Sequence, residues 1–131
     1  MHNLDIISQQ NAENGVASGT IQKVIPDSGN GYCKMPDGTL ICWNRVSTGS
    51  GYSINSAWGS LYESNNYVSL GSWAHAFTST PVVLIQVDAI AGWTEKAQNV
   101  TATSAGETKI VWATAGTGNF GINVIGIGRW K

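Results

Sequence analysis

The feature that most constrains this chain is a succession of short segments in which apolar and polar residues alternate, separated by residues that favour turns. The pattern begins near Gly29 and continues to the last residues. In one segment Val83, Ile85 and Val87 occupy every second position, which is the period of a strand with one buried face. Helix signals are scarce, and only residues 4–13 carry one. The spacing therefore predicts an all-β protein.

Seven short strands at this spacing are typical of an antiparallel sandwich or a closed barrel. We predict an all-β fold, an antiparallel β-sandwich of about six to eight strands. In the last strand the apolar side chains change face near Gly126, where Ile125 and Ile127 follow Val124, which predicts a bulge. The predicted strands cover residues 31–35, 39–46, 67–77, 81–88, 98–104, 108–114 and 119–130.

The tripeptide Pro-Asp-Gly at positions 36–38 predicts a hairpin between the first two strands. Two registers are open. A two-residue loop would place Cys33 opposite Cys42 and permit a cross-strand disulfide. Because Pro36 lacks the N–H that this loop uses, we favour a type I turn with a bulge at Gly38, which places Cys33 opposite Ile41. Two free thiols are therefore predicted.

Two stretches differ from the strand pattern. Residues 1–28 contain too few apolar residues for a core of their own, and we predict an N-terminal stem there, followed by one domain over residues 29–131. Residues 47–66 form a long polar stretch with several aromatic residues. We interpret it as a loop that is too polar to belong to the core and too aromatic to be a linker without a function.

Composition excludes several partners. Only 11% of the residues are charged and the net charge is -1, against an ordinary charged fraction of about 25%, so hydroxyl and amide groups make up the polar surface. A nearly neutral chain without basic clusters is unsuited to nucleic acid. No apolar run reaches about 18 residues, so we expect no membrane insertion. The first residues also lack the basic start and apolar core of a secretory signal.

Catalytic chemistry has little support in the sequence. A glycosidase needs two carboxylates, and only Glu63 and Glu95 lie in loops with aromatic neighbours. Since a lone surface glutamate is usually just solvated, we expect no enzyme. His75 lies in a predicted strand and is interpreted as a partly buried or interface residue. Cys33 and Cys42 lack a second ligand pair, so no metal and no cofactor are expected.

Two segments resemble a known family. Residues 31–43, Gly-Tyr-Cys-Lys-Met-Pro-Asp-Gly-Thr-Leu-Ile-Cys-Trp, resemble the hairpin that opens many tail-fibre tip domains of phages and prophages. Residues 125–131, Ile-Gly-Ile-Gly-Arg-Trp-Lys, resemble the end of the same domains. Between them, residues 73–83 are similar to a strand pair of H-type lectins, and residues 97–101 to the strand that follows in those lectins.

This resemblance covers about residues 30–131. It implies a six- or seven-stranded sandwich in a homotrimer with threefold symmetry. It also implies a place at the tip of a virion's tail fibre, outside the host cell, where the domain binds a bacterial cell-surface glycan without turning it over. Two alternatives stay open: a structural trimerisation cap that binds no ligand, and a depolymerase that cleaves surface polysaccharide.

The aromatic residues divide into two groups. Trp43, Trp73 and Trp112 alternate within predicted strands and are assigned to the core or to a subunit interface. Aromatic side chains in polar loops are costly to expose, so they either pin their loops, fill a subunit interface or contact a ligand. Sugar rings stack on such side chains, and amides and carboxylates satisfy the hydroxyls. The candidate ligand-binding residues are Trp58, Tyr62, Asn65, Asn66, Trp93 and Glu95.

Overall fold

A computed structural model describes residues 21–26, 29–89 and 92–131. In these residues the chain forms thirteen short strands and no helix, and every strand pair is antiparallel. The predicted all-β sandwich is confirmed. Within the described part of the chain, no helix is long and apolar enough to span a membrane.

One layer of the sandwich is a five-stranded sheet in the order β1-β2-β3-β13-β8. Its central strand pair is long, because β3 and β13 stay in register over nine residues. Side chains on its inner face are fully buried, among them Leu40, Ile122 and Val124. The bounds are β1 Gln22–Val24, β2 Gly31–Lys34, β3 Thr39–Ser47, β8 Val82–Asp88 and β13 Gly121–Arg129.

The other layer consists of shorter strands. A four-stranded sheet has the order β5-β6-β11-β9, and two further pairs are β4 with β12 and β7 with β10. These strands are two or three residues long, so they depend on packing against the first sheet. Their bounds are β4 Tyr52–Ile54, β5 Ser56–Trp58, β6 Leu61–Glu63, β7 Val68–Ser69, β9 Gly92–Thr94, β10 Glu107–Thr108, β11 Ile110–Trp112 and β12 Gly116–Gly118.

The stretch 47–66 is not a loop, and this interpretation was wrong. It holds three strands, and two of its residues, Ile54 and Ser64, are fully buried. Ser64 is satisfied inside the protein because Ile110 N–H donates to its hydroxyl at 2.7 Å and its own N–H donates to Ile110 O at 2.9 Å. A buried polar residue that is hydrogen-bonded does not add to the hydrophobic pattern of a sequence. The pattern of this segment therefore predicts an exposed loop.

The predicted strands 67–77 and 98–104 are mostly irregular. Only β7 is a strand in the first, and the second contributes isolated bridges at Gln98 and Ser104. Backbone contacts still join the two segments, since Trp73 N–H donates to Thr103 O and Phe77 N–H donates to Ala102 O, both at 2.9 Å. Isolated contacts of this kind satisfy the backbone without forming a continuous ladder.

The bulge predicted near Gly126 is absent, because β13 pairs without interruption along both neighbours. Instead, Gly126 and Gly128 occupy inward positions. A Cβ at Gly126 would lie 2.9 Å from the Trp73 ring, and one at Gly128 would lie 2.8 Å from the Phe77 ring. These two rings meet edge to face, 5.6 Å between centroids. The alternation of inward and outward positions therefore continues through β13, and glycines occupy the inward positions against which the Trp73 and Phe77 rings pack.

The hairpin register is confirmed. Cys33 lies opposite Ile41, and both cysteines are free thiols. Gly38 has φ of 97°, the left-handed conformation that a bulge after a type I turn requires, and its N–H donates to Met35 O at 3.1 Å.

Residues 21–26 of the predicted stem lie within the described part, and Gln22–Val24 form β1 at one side of the five-stranded sheet. Residues 1–20 and 27–28 lie outside the described residues. The described chain from Gly31 to Trp130 contributes the core, which lies between the two layers.

Candidate functional site

Two half-exposed tryptophans lie on the four-stranded sheet. Trp58 in β5 has an exposed fraction of 53%, and Trp93 in β9 has 47%. Directly opposite residues share a face, and the register joins Ser56, Glu63, Val111 and Trp93 in one row. Trp58 lies two residues after Ser56 and therefore projects from that same face. Three strand spacings, about 14 Å, separate the two outer strands that carry the tryptophans.

This face points away from the core. On the opposite face of the sheet, Tyr62 and Trp112 pack against the hydrophobic core. Ile110 is on that face too and is itself a buried member of the core. Val111 lies between Glu63 and Trp93 and is fully buried, so the side chains around it cover it. The outer face of the four-stranded sheet is thus an aromatic and polar surface with the buried Val111 beneath it.

A charged cluster occupies the middle of this face. Lys109 Nζ donates to Glu63 Oε1 at 2.9 Å, and both side chains are more than four-fifths buried. The Glu63 and Glu95 carboxyl groups are close enough for each to shift the pKa of the other. Glu95 is held by its backbone, since its N–H donates to Lys109 O at 2.9 Å and its carbonyl accepts from Thr108 Oγ1 at 2.9 Å.

The two carboxyl groups have opposite pKa shifts. The hydrogen bond from Lys109 lowers the pKa of Glu63, and the same bond raises the pKa of Lys109. Burial raises the pKa of Glu95, and the neighbouring Glu63 carboxyl raises it further. Of the two carboxyl groups, Glu95 is therefore the one that holds a proton more readily.

Tyr67 and Gln98 extend the cluster. Lys109 Nζ lies 5.0 Å from the centroid of the Tyr67 ring. Gln98 Nε2 lies 3.4 Å from the Tyr67 hydroxyl oxygen and 3.5 Å from Glu95 Oε2. Tyr67 is 44% exposed, so this surface carries a third accessible aromatic ring beside the charged groups.

The structure brings together three of the six predicted ligand residues: Trp58, Trp93 and Glu95. Tyr62 lies on the opposite face of the same sheet, against the core. Asn65 holds the turn between β4 and β5, because its Oδ1 accepts from Asn55 N–H at 3.0 Å and its N–H donates to Ser53 O at 3.2 Å.

Asn66 follows Asn65 on the surface, and its carbonyl accepts a hydrogen bond from the Tyr52 hydroxyl. Four members of the cluster were missing from the predicted ligand set: Glu63, Lys109, Gln98 and Tyr67. Lys109 alternates with Val111 and so shares its face, which is the signal that could have placed it. No local pattern links Gln98 to Tyr67.

Trp93 also borders a cleft of about 320 Å³ between β8 and β9. Gln86, Ala89 and Thr94 line it together with the tryptophan. The cleft lies where the edge of the five-stranded sheet approaches the edge of the four-stranded sheet, next to the half-exposed Trp93. Among the described residues, no group of three or more His, Cys, Asp or Glu side chains is placed to hold a metal ion.

Comparisons with known proteins bear on the fold alone. No protein-family model matches the chain, and no curated protein matches it. An N-truncated R1-type pyocin tail fibre is similar in structure, with a TM-score of 0.56 and 17% identity over 92% of this chain and 93% of that one. A C-terminal fragment of the P. aeruginosa R1 pyocin fibre has a TM-score of 0.53 and 18% identity over 90% of this chain and 30% of that one. The chain therefore has the fold of a tail-fibre domain.

Proposed function

We propose that this chain is a non-catalytic host-recognition domain of a phage-type tail fibre, which binds a bacterial cell-surface carbohydrate as a homotrimer outside the host cell. The observation that carries the proposal is the pair Trp58 and Trp93, each about half exposed on one sheet face with a polar cluster between them. The tail-fibre fold supports the virion setting.

The surface suits a sugar chain better than a small apolar ligand. Aromatic rings at both sides offer stacking platforms for the C–H faces of sugars. Glu63, Glu95, Lys109 and Gln98 offer donors and acceptors for hydroxyl groups. A flat, open surface of this kind binds weakly at one site, and three copies on one fibre raise the overall affinity through effective concentration. The resemblance to H-type lectins and to fibre tips agrees with this role.

The carboxyl pair supports binding over cleavage. Glycosidases hold their two carboxyl groups about 5–5.5 Å apart when they retain configuration and about 6.5–9.5 Å apart when they invert it. The Glu63 carboxyl is held by Lys109 at 2.9 Å and is more than four-fifths buried, so it does not stand free beside a sugar as either arrangement requires.

Exposed apolar side chains support the homotrimer. Val82 and Leu84 have exposed fractions of 69% and 61%, and Ile125 and Ile127 beside them have 40% and 41%. Soluble monomers rarely expose contiguous apolar patches of more than about a few hundred Å², and patches above that size mark interaction sites. The same patch favours a second candidate function, a structural cap that trimerises the fibre end and binds no ligand.

Glycan-array screening followed by calorimetry tests the proposal. The wild type is expected to bind a host surface polysaccharide, and Trp93→Ala to weaken binding about tenfold, which corresponds to about 1.4 kcal/mol. Trp93→Phe keeps a ring and is the matched control, with most of the affinity retained. Light scattering on each variant separates the two candidates. A cap predicts no glycan binding by an intact trimer, and that result would refute carbohydrate recognition.

A further inference from the structure

The outer face of the four-stranded sheet holds an ammonium group between a carboxylate and an aromatic ring. Lys109 Nζ lies 2.9 Å from Glu63 Oε1 and 5.0 Å from the centroid of the Tyr67 ring. The carboxylate attracts the ammonium through a charge-assisted hydrogen bond, and the face of the ring attracts it through the ring quadrupole. A ring beside a carboxylate on this face therefore suits a primary amine in its charged form.

Trp93 and Glu95 repeat this combination next to it. The register places Trp93 opposite Val111, and the Glu95 N–H donates to Lys109 O, so Glu95 lies beside Lys109 and faces the same way as Trp93. Two residues of extended backbone span about 7 Å. Trp93 is half-exposed and Glu95 is partly exposed. A sugar ring stacked on Trp93 would therefore carry a substituent to the Glu95 carboxyl.

The two carboxylates differ in their partners. Glu63 is paired with Lys109, whereas Glu95 forms no ion pair with any residue in the described part of the chain. The polar neighbour of the Glu95 side chain is Gln98, whose Nε2 lies 3.5 Å from Glu95 Oε2. Because the single lysine of the cluster is held by Glu63, the charge of Glu95 is not neutralised by an ion pair of its own.

The surroundings of Glu95 favour a positive charge. Burial raises the pKa of Glu95, the Glu63 carboxyl raises it further, and Lys109 lowers it by less than Glu63 raises it. A cation brought by a ligand relieves the same repulsion that a bound proton relieves. A carboxylate or phosphate on a ligand would add to that repulsion, because like charges brought together at an interface are unfavourable.

We propose that this surface binds glycans whose sugars carry a free amino group, with the sugar ring stacked on Trp93 and its ammonium bound by Glu95. The inference rests on the proposed function and names the class of sugar that the same site takes. Acetylation of the amino group removes its charge, so the N-acetylated form of the same sugar loses the attraction to Glu95. Glu95 is then the residue that determines specificity, and Trp93 supplies stacking that both forms share.

Calorimetry with two oligosaccharides of equal length tests this inference. The probes are a glucosamine hexamer and an N-acetylglucosamine hexamer, used at mildly acidic pH, where the free amino groups carry protons, and at low ionic strength. The wild type is expected to bind the glucosamine hexamer about fivefold more tightly, the ratio that an ion pair of about 1 kcal/mol gives. The preference should shrink in about 1 M salt, where the Debye length is about 3 Å.

Two variants locate the source of the preference. Glu95→Gln keeps the size of the side chain and removes its charge, so the two hexamers should then bind within about twofold of each other. Glu107→Gln is the matched control. Glu107 carries the same charge and is hydrogen-bonded to Asn99 Nδ2 at 2.9 Å, so its replacement should leave the preference of the wild type unchanged.

The outcomes separate this inference from the proposed function. If the wild type binds the N-acetylated hexamer as tightly as the free amine, or if Glu95→Gln keeps the preference, the inference is wrong and carbohydrate binding stands. An equal loss of preference in Glu107→Gln would assign the effect to the overall charge of the protein and overturn the role of Glu95. If the glucosamine hexamer does not bind, the inference is wrong, and the glycan array decides the proposed function: binding of another glycan that Trp93→Ala weakens retains it, and no binding of any glycan refutes it.

Discussion

The two sheets of the sandwich turn outer faces of opposite character away from the core. The five-stranded sheet exposes aliphatic side chains such as Leu84 and Ile125, whereas the four-stranded sheet exposes two tryptophans around the Glu63–Lys109 pair. An aliphatic face is stabilised by excluding water and by close packing, which another protein surface provides. Aromatic rings beside charged groups suit a hydrated polar ligand that has apolar faces.

Both faces belong to strands with the same alternation, and the inner faces of both sheets fill one core. The difference between them therefore lies in the residues that alternate outward. A β-sandwich thus has two independent outer surfaces, and the proposed function assigns assembly to one of them and binding to the other.

The largest effect is expected on the aliphatic face. Ile125→Asp introduces a charge into the exposed aliphatic patch, which the proposed homotrimer would desolvate, so the trimer should dissociate. Light scattering should then give the mass of a single chain, while circular dichroism keeps the all-β spectrum. Ala113→Asp, on an exposed turn of the other layer, should leave the mass unchanged. An Ile125→Asp protein that stays trimeric would exclude this face as the interface.

Packing inside the sandwich is expected to give the next largest effect. Gly126→Ala places a methyl group 2.9 Å from the Trp73 ring and 3.2 Å from the Phe77 ring, so the rings must move. Overpacking of this kind lowers the free energy of unfolding by about 1–3 kcal/mol, measured by urea denaturation. Gly116→Ala is the control, because its Cβ meets its nearest neighbour at an ordinary 3.8 Å. Equal effects of the two substitutions would contradict the tight contact at β13.

A smaller, pH-dependent effect is expected on the polar face. The pKa of Glu95 is raised in the folded protein by burial and by Glu63, so its charged form destabilises the fold at neutral pH. Stability associated with this group is full below its unfolded pKa of about 4.3 and is lost as the pH rises through the folded pKa. Glu95→Gln should therefore raise the free energy of unfolding at pH 7 by less than Gly126→Ala lowers it, and change little at pH 4.

Urea denaturation over a pH series measures this effect. In a Glu63→Gln background the gain from Glu95→Gln should shrink, because the neighbouring carboxylate that raises the pKa of Glu95 is gone. Glu63 has the opposite linkage, since its lowered pKa gives stability above about pH 4.3 that is lost as the pH falls. A Glu95→Gln gain that is independent of pH would argue against the raised pKa of Glu95.

No effect at all is expected in a test for cleavage. Incubation of the wild type with host polysaccharide should release no reducing ends, because the Glu63 carboxyl is held in an ion pair with Lys109. A release of reducing ends that Glu63→Gln abolishes would make the polar face a catalytic site.

Local chemistry made part of this structure predictable. The hairpin register followed from Pro36, which removes one N–H, and from Gly38, which accepts φ of 97°. The inward set Val83, Ile85 and Val87 followed from alternation alone. The bulge at Gly126 was predicted in error, because glycine has no side chain to mark its face and the rings that fill the space come from Trp73 and Phe77.

The candidate site was predictable only in part. Trp58, Trp93 and Glu95 stand out as aromatic and charged residues within polar segments, and they share one face. Tyr62 lies in a segment of the same composition, yet the strand register places its side chain against the core. Lys109 reaches Glu63 across 46 positions of sequence, through strand pairing that no local pattern encodes.

By itself the sequence determined the all-β class, the first hairpin and the two free thiols, because turn geometry and strand period depend on residues that are neighbours in the chain. Only the tertiary structure decided which side chains fill the inward positions of β13, which face Tyr62 takes, and which charges meet beside the tryptophans. Those outcomes depend on contacts between distant segments, and the pairing of short strands is set by the packing of the whole sandwich.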